Sequence, residues 1–183
     1  MEIKNVVIAG AGVLGSQIAF QAARYGYQVK IWNRHTDRAE RRLAAIKEPF
    51  MKEMDATEED YQAAMDNIVS ISNDLKATVA DADLVIESVS ESVEIKKAFY
   101  EELCPLLPEK TILTSNSSTF IPSELVGFTD RPDRFAHLHF ANHIWKHNVA
   151  EIVGNPQTKP EVIDDLVVFA RSIKMVPVVL KKE

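Results

Sequence analysis

The order of residue types along this chain predicts an α/β fold, a doubly wound and mostly parallel sheet flanked by helices. Three observations carry that expectation. Short runs rich in Val and Ile alternate with longer stretches of helical period, as buried parallel strands alternate with crossover helices. A glycine-spaced turn joins the first apolar run to the first helical stretch. The composition suits one packed domain: 183 residues, 46% hydrophobic and 26% charged, with 6 Gly and 8 Pro.

The elements follow in order. Residues 3–9 read as a strand, and residues 13–25 as a helix with Leu14, Ile18, Ala19, Ala22 and Ala23 on one face and Gly26 as its stop. Residues 28–32 make the second strand. The stretch 37–66 is charged and helix-periodic, with a break at 55–57 and the acidic trio Glu58, Glu59 and Asp60 suited to a first turn. It predicts a helical hairpin inserted after the second strand. Further strands are expected at 68–71, 84–87, 111–114, 135–140, 149–153 and 176–180, each buried on both faces, with helices in most of the gaps.

Charge and cysteine usage narrow the function. Lys and Arg total 21 against 27 Asp and Glu, a net charge of −6 and a pI near 5.4. That balance argues against nucleic acid or an anionic membrane as partner. No apolar run is long enough for a span or a leader peptide. Cys104 is the one cysteine, which excludes an internal disulfide and a multi-cysteine zinc site and fits a reducing compartment, with the cytoplasm as the default.

Gly10, Gly12 and Gly15 form G-x-G-x-x-G between a strand and a helix. The first glycine suits a tight turn, the second lets main chain approach a pyrophosphate, and the third lets helix and strand pack closely. The whole turn, Gly10, Ala11, Gly12, Val13, Leu14 and Gly15, is thus a candidate dinucleotide site of a Rossmann-type domain. Such units place Asp or Glu at the end of the second strand, where the carboxylate takes the ribose hydroxyls and repels a 2′-phosphate. Asn33 stands there, followed by Arg34 and then Arg38, Arg41 and Arg42. NADP becomes admissible beside NAD, against the competing view that these arginines form a solvated helix face.

The second half carries Ser115-Asn116-Ser117-Ser118, then Phe135-Ala136-His137-Leu138-His139-Phe140-Ala141-Asn142, then Ala150-Glu151-Ile152-Val153. With the glycine turn, and in this joint spacing, these residues resemble the L-3-hydroxyacyl-CoA dehydrogenase family over essentially the whole chain. The resemblance implies that residues 1–183 are that family's NAD-binding domain, with the hairpin at about 37–66 inside it. It implies oxidation of a 3-hydroxyacyl-CoA to the 3-oxo compound in fatty-acid metabolism, with His139 as general base and Glu151 as its support. Imidazole titrates near neutrality and can take the hydroxyl proton, while a carboxylate stabilises the imidazolium formed. Ser118 matches a serine between nicotinamide and substrate oxygen, Asn142 an asparagine near the nicotinamide, and Glu91 and Lys96 positions used against the cofactor. It further implies a homodimer held by a C-terminal helical domain that is absent from this chain. Without the resemblance, Ser117 and Ser118 read as turn formers, and Glu91 and Lys96 as an exposed helix start.

His137, His139, His143 and His147 invite a metal site, which their strand and loop placement disfavours. The segment Asn142-His143-Ile144-Trp145-Lys146-His147 departs from the family's Asn-Pro and apolar loop, and reads as a bulkier, more polar wall beside the nicotinamide. Arg41, Arg42, Lys47 and Lys52 on the hairpin are candidates for the phosphates of a CoA tail. Rival functions are an NADP-linked dehydrogenase of a free hydroxyacid and a nucleotide-binding module without catalysis.

Overall fold

Strand and helix alternate as the apolar pattern requires. In the computed structural model, which describes residues 1–181, the elements run β1 (Asn5–Ala9), α1 (Val13–Arg24), β2 (Gln28–Trp32), α2 (Thr36–Ala44), α3 (Lys47–Met54), α4 (Glu58–Asp66), β3 (Ile68–Ser72), α5 (Leu75–Val79), β4 (Leu84–Glu87), α6 (Val93–Leu103), β5 (Ile112–Ser115), α7 (Pro122–Leu125), β6 (Phe135–Phe140), β7 (Val149–Gly154), α8 (Pro160–Ser172) and β8 (Val176–Leu180). The strands form one sheet in the order β3-β2-β1-β4-β5-β6-β7-β8. All neighbours are parallel except β6 and β7, which are antiparallel. The chain order reverses between β1 and β4, and the crevice over the carboxyl ends of strands at such a switch point is where open α/β sheets bind ligands.

Strand alternation sends side chains to two cores. Val6 and Ile8 of β1 meet Ile18 and Ala22 of α1, and Leu138 and Ile152 meet Leu166 and Phe169 of α8. Val7 and Ala9 face the other way, with Val85, Leu113, Phe99 and Leu103. The central strands are therefore covered on both sides, as expected. β8 is not: Val176, Val178, Val179 and Leu180 are exposed. The expectation that every strand is buried on both faces fails at both edges of the sheet: no residue of β3 is fully buried, Val69 is exposed, and Val149 and Glu151 of β7 are open beside β8.

The hairpin expected at 37–66 is instead three helices. The chain breaks at Ala45 and Ile46 as well as at Asp55, whose backbone is left-handed with φ 49°. Thr57 and Asp60 form a reciprocal cap on α4, Asp60 N donating to Thr57 Oγ1 at 3.2 Å and Thr57 N to Asp60 Oδ2 at 2.8 Å. An aromatic cluster pins this insertion to α1: Phe20 lies 4.8 Å from Phe50, 5.6 Å from Tyr61 and 6.4 Å from Trp145 between ring centroids.

Candidate active site

The candidate residues gather at the carboxyl ends of the parallel strands, on the loops leaving them and in the first turns of α1 and α6, with Glu151 near the start of antiparallel β7. The three glycines of the turn do different work. Gly10 has φ +103°, and a Cβ there would strike the Ser88 carbonyl, so only glycine fits. A Cβ on Gly15 would collide with the Gly10 carbonyl, which sets how closely α1 approaches the turn. Gly12 has ordinary extended backbone, with φ −71° and ψ −164°, and a Cβ would find nothing within 4 Å. The fold does not need glycine at position 12. The open space in front of it, at the N-terminus of α1, is what a pyrophosphate requires.

This turn opens into a cavity of about 480 Å³ lined by Gly10, Ala11, Gly12, Asn33 and Arg34 among others. Asn33 holds the turn from β2, with its Oδ1 accepting from Ala11 N at 3.0 Å and its Nδ2 donating to the His35 carbonyl at 2.7 Å. The sequence reading missed the cavity's apolar walls, Val89 of the loop after β4 and Ile95 and Phe99 of α6. The spacing of Ile95 and Phe99, one turn apart on a helix, is the signal by which they were open to being found. Val13, Leu14, Gly15, Glu91, Lys96, Ser118 and Asn142 lie outside this lining.

Glu87, at the end of β4, organises the next shelf. Its Oε1 accepts from Lys96 Nζ and Val89 N, at 2.7 and 2.8 Å, and its Oε2 from Tyr100 Oη and Ser115 Oγ, at 2.6 and 2.7 Å. Lys96, 1% exposed, also reaches Glu91 at 3.2 Å. The expectation of an exposed helix start at Lys96 is corrected, since its ammonium is sealed inside and committed to two carboxylates. Glu91 accepts from the Ser117 and Thr119 hydroxyls and from the main-chain N–H of Ser118 and Thr119, and so holds the loop that presents Ser118. Burial works against its charge, but the Ser117 and Thr119 hydrogen bonds and Lys96 outweigh it and hold the Glu91 carboxyl at about 2. Tyr100 is pushed well above its ordinary range, by burial first and then by the Glu87 charge.

His139 and Glu151 meet because β6 and β7 place them directly opposite one another in the antiparallel register. His139 Nδ1 lies 2.8 Å from Glu151 Oε2, and the ring is 28% exposed. Asn116 Oδ1 accepts from Phe140 N at 3.0 Å, tying the Ser118 loop to the end of the histidine strand. Ser118 and Asn142 are both exposed.

One feature differs from expectation. The segment after Asn142 does not put its bulk into the site: Ile144 and Trp145 are buried in the core. Glu53 of α3 anchors the segment, accepting from Trp145 Nε1 at 2.8 Å and lying 2.9 Å from His143 Nδ1, and these two bonds, His143 first, hold its carboxyl below the usual range. The histidines also separate. His137 is buried on β6 with Nε2 unpartnered, and among the described residues no three metal-ligating side chains converge. On the hairpin, Arg41 is paired with Asp37 and Lys47 with Glu58, so two of the four cations considered for a CoA tail are committed locally.

Comparison with known proteins places this arrangement. Residues 5–183 match the family described as 3-hydroxyacyl-CoA dehydrogenase, NAD binding domain. A probable 3-hydroxybutyryl-CoA dehydrogenase of Bacillus subtilis (strain 168) is 31% identical over 176 residues, 94% of this chain and 61% of that protein. The mitochondrial hydroxyacyl-coenzyme A dehydrogenase of Sus scrofa is 30% identical, covering 98% of this chain and 59% of that protein. A solved diketoreductase that acts on dicarbonyl compounds is 46% identical with a TM-score of 0.95, covering 100% of this chain and 66% of that one. The chain thus spans about 60% of the length of the curated relatives named here.

Proposed function

The chain belongs to the 3-hydroxyacyl-CoA dehydrogenase family as its NAD-binding domain, and from that premise we propose that the protein interconverts an L-3-hydroxyacyl-CoA and its 3-oxo form. The observation that carries this reading is the His139–Glu151 pair, 2.8 Å apart across the antiparallel β6–β7 ladder.

NAD(H) is the cofactor of this domain family, and the chain's residues fit it: Gly12 leaves room where the pyrophosphate approaches main-chain N–H groups, and Asn33 holds the turn open. When bound, the nicotinamide supplies the hydride acceptor. The rest is the work of side chains. His139 takes the substrate hydroxyl proton on Nε2, since Nδ1 is engaged by Glu151. Glu151 fixes the ring's orientation and stabilises the imidazolium. Ser118 and Asn142 supply hydrogen-bond donors near the reacting carbons, and Glu91, backed by Lys96, keeps the Ser118 loop in place.

One observation favours a second reading, reduction of a carbonyl compound that carries no CoA. The 46% identical relative is a diketoreductase, and Arg41 and Lys47 are spent on local carboxylates. The same dyad serves both. A panel of 3-oxoacyl-CoA thioesters, free 3-oxo acids and diketones separates them by kcat/KM. Homodimerisation and a cytoplasmic location belong to the first reading. Burial raises the Cys104 thiol to about 11 and keeps it inert.

The test of the dyad is His139→Gln in the protein, followed by single-turnover hydride transfer. The rate falls roughly 10²- to 10⁴-fold while nucleotide affinity and melting temperature hold. A folded variant with normal hydride transfer overturns the mechanism.

A further inference from the structure

We propose that the arginine-lined end of the 480 Å³ cavity is a phosphomonoester subsite, so that the domain binds the 2′-phosphorylated dinucleotide NADP(H) at least as tightly as NAD(H). The proposal rests on the dinucleotide reading of the glycine turn and adds a second cofactor class to it.

Arg34, His35, Arg38 and Arg42 line the same cavity as Gly10, Gly12 and Asn33, and no carboxylate does. Arg38 and Arg42 are four residues apart on one face of α2, and Arg34 reaches in from the turn after β2. The arginine ion pairs among the described residues are Arg41–Asp37 and Arg131–Asp130. The guanidinium groups of Arg34, Arg38 and Arg42 are therefore left without a carboxylate partner. Helix α2 sorts its charges: Arg41, off the cavity, has an acid one turn away, while Arg38 and Arg42, on the cavity, have none. A solvated basic face gives no reason for that division. Asp37 is the acidic group in the helix's first turn, and its carboxylate is held by Arg41 at 2.7 Å, outside the cavity lining.

Position 33 completes the case. A carboxylate here takes the ribose hydroxyls and repels a 2′-phosphate. Asn33 carries no charge, and both ends of its amide are occupied within the protein, by Ala11 N and the His35 carbonyl. Its role is to hold the turn. The groups that face a substituent at the ribose 2′ position are then guanidinium forks, whose planar donors match phosphate oxygens.

The experiment uses two probes that differ only in the phosphate, 5′-AMP and adenosine 2′,5′-bisphosphate, titrated calorimetrically into the protein, and then NADH and NADPH followed by fluorescence. The bisphosphate binds about tenfold or more tighter than AMP, with the gain shrinking as salt is raised, and NADPH binds no more weakly than NADH. Replacing Arg34 and Arg38 by Ala together abolishes the gain, and Asn33→Asp lowers the ratio of NADPH to NADH affinity. A bisphosphate no tighter than AMP, NADPH weaker than NADH, or a gain that survives loss of both arginines overturns the proposal. If NADH binds and NADPH does not, the subsite alone is lost. If neither nucleotide binds, the dinucleotide reading falls with it.

Discussion

The two ends of the sheet build their sites in opposite ways. At β1, β2 and β4 the working groups are main chain: Gly10 at φ +103°, the Gly12 space, and an Asn33 side chain used up in holding them. Both faces of these strands are covered, so the cavity has walls of its own. At β6 and β7 the proposed working groups are side chains, His139 and Glu151, on the part of the face where helix cover gives out, beside exposed Val149, Val176 and Val178. The lesson concerns completeness. A pyrophosphate is met by backbone donors that the turn itself fixes, so nucleotide binding is a property of this domain. In the proposed reaction the proton goes instead to a pair of side chains that the strands align but leave partly open to solvent.

The comparison can be broken most severely through the buried network beneath the nucleotide side. Lys96→Met leaves Glu87 in a sealed pocket without its cation, and a fall of about 3 kcal/mol or more in unfolding free energy is expected in denaturant titration. An unchanged midpoint shows that buried Glu87 does not depend on the Lys96 cation.

Two neighbouring histidines on one face of β6 sharpen the contrast next. Burial, with Lys96 nearby, holds His137 at about 4, well below its ordinary 6.5. The unfolded chain takes up a proton as pH falls through 6.5 while the folded chain does so only near 4. Stability is thus fully present above 6.5 and lost progressively down to about 4, by about 3 kcal/mol in all. His137→Leu flattens this part of the stability profile. A wild-type profile with no slope between those pH values shows the ring to be charged in the folded protein.

Gly12→Val tests the claim that position 12 is reserved for ligand rather than fold. Melting temperature stays within the wild-type range, because nothing lies within 4 Å of the new Cβ. Affinity for NADH drops at least about tenfold. Equal affinity in the folded variant moves the pyrophosphate elsewhere.

The smallest effect is expected at Glu53, whose bonds to His143 and Trp145 join the loop after β6 to the helical insertion. In Glu53→Gln, amide hydrogen exchange quickens at 144–147 with little change in global stability. Exchange that is unaltered there means the aromatic cluster alone secures the loop.

Much of this architecture is local and was legible in the chain. The bounds of β2, β4, β6 and β8 coincide with their apolar runs, because β-branched residues bounded by turn formers favour extended backbone whatever packs on them. Gly10 and Gly26 declare positive φ on steric grounds, at +103° and +89°. The cap on α4 forms where the break at 55–57 meets the acidic trio, and the 12-residue interval from His139 to Glu151 is part of the spacing that resembles the family.

What the tertiary structure alone decided concerns groups whose surroundings come from distant parts of the chain. Lys96 looks like a surface residue until Glu87 arrives from β4 to bury it. Trp145 looks like a wall of the site until Phe20 and Phe50 draw it into the core. Val178 looks like an interior strand residue and is left open at the sheet's edge. Residue type records how a side chain prefers to be solvated. Its neighbours, supplied from far along the chain, decide whether that preference is met by water, by a partner charge or by packing.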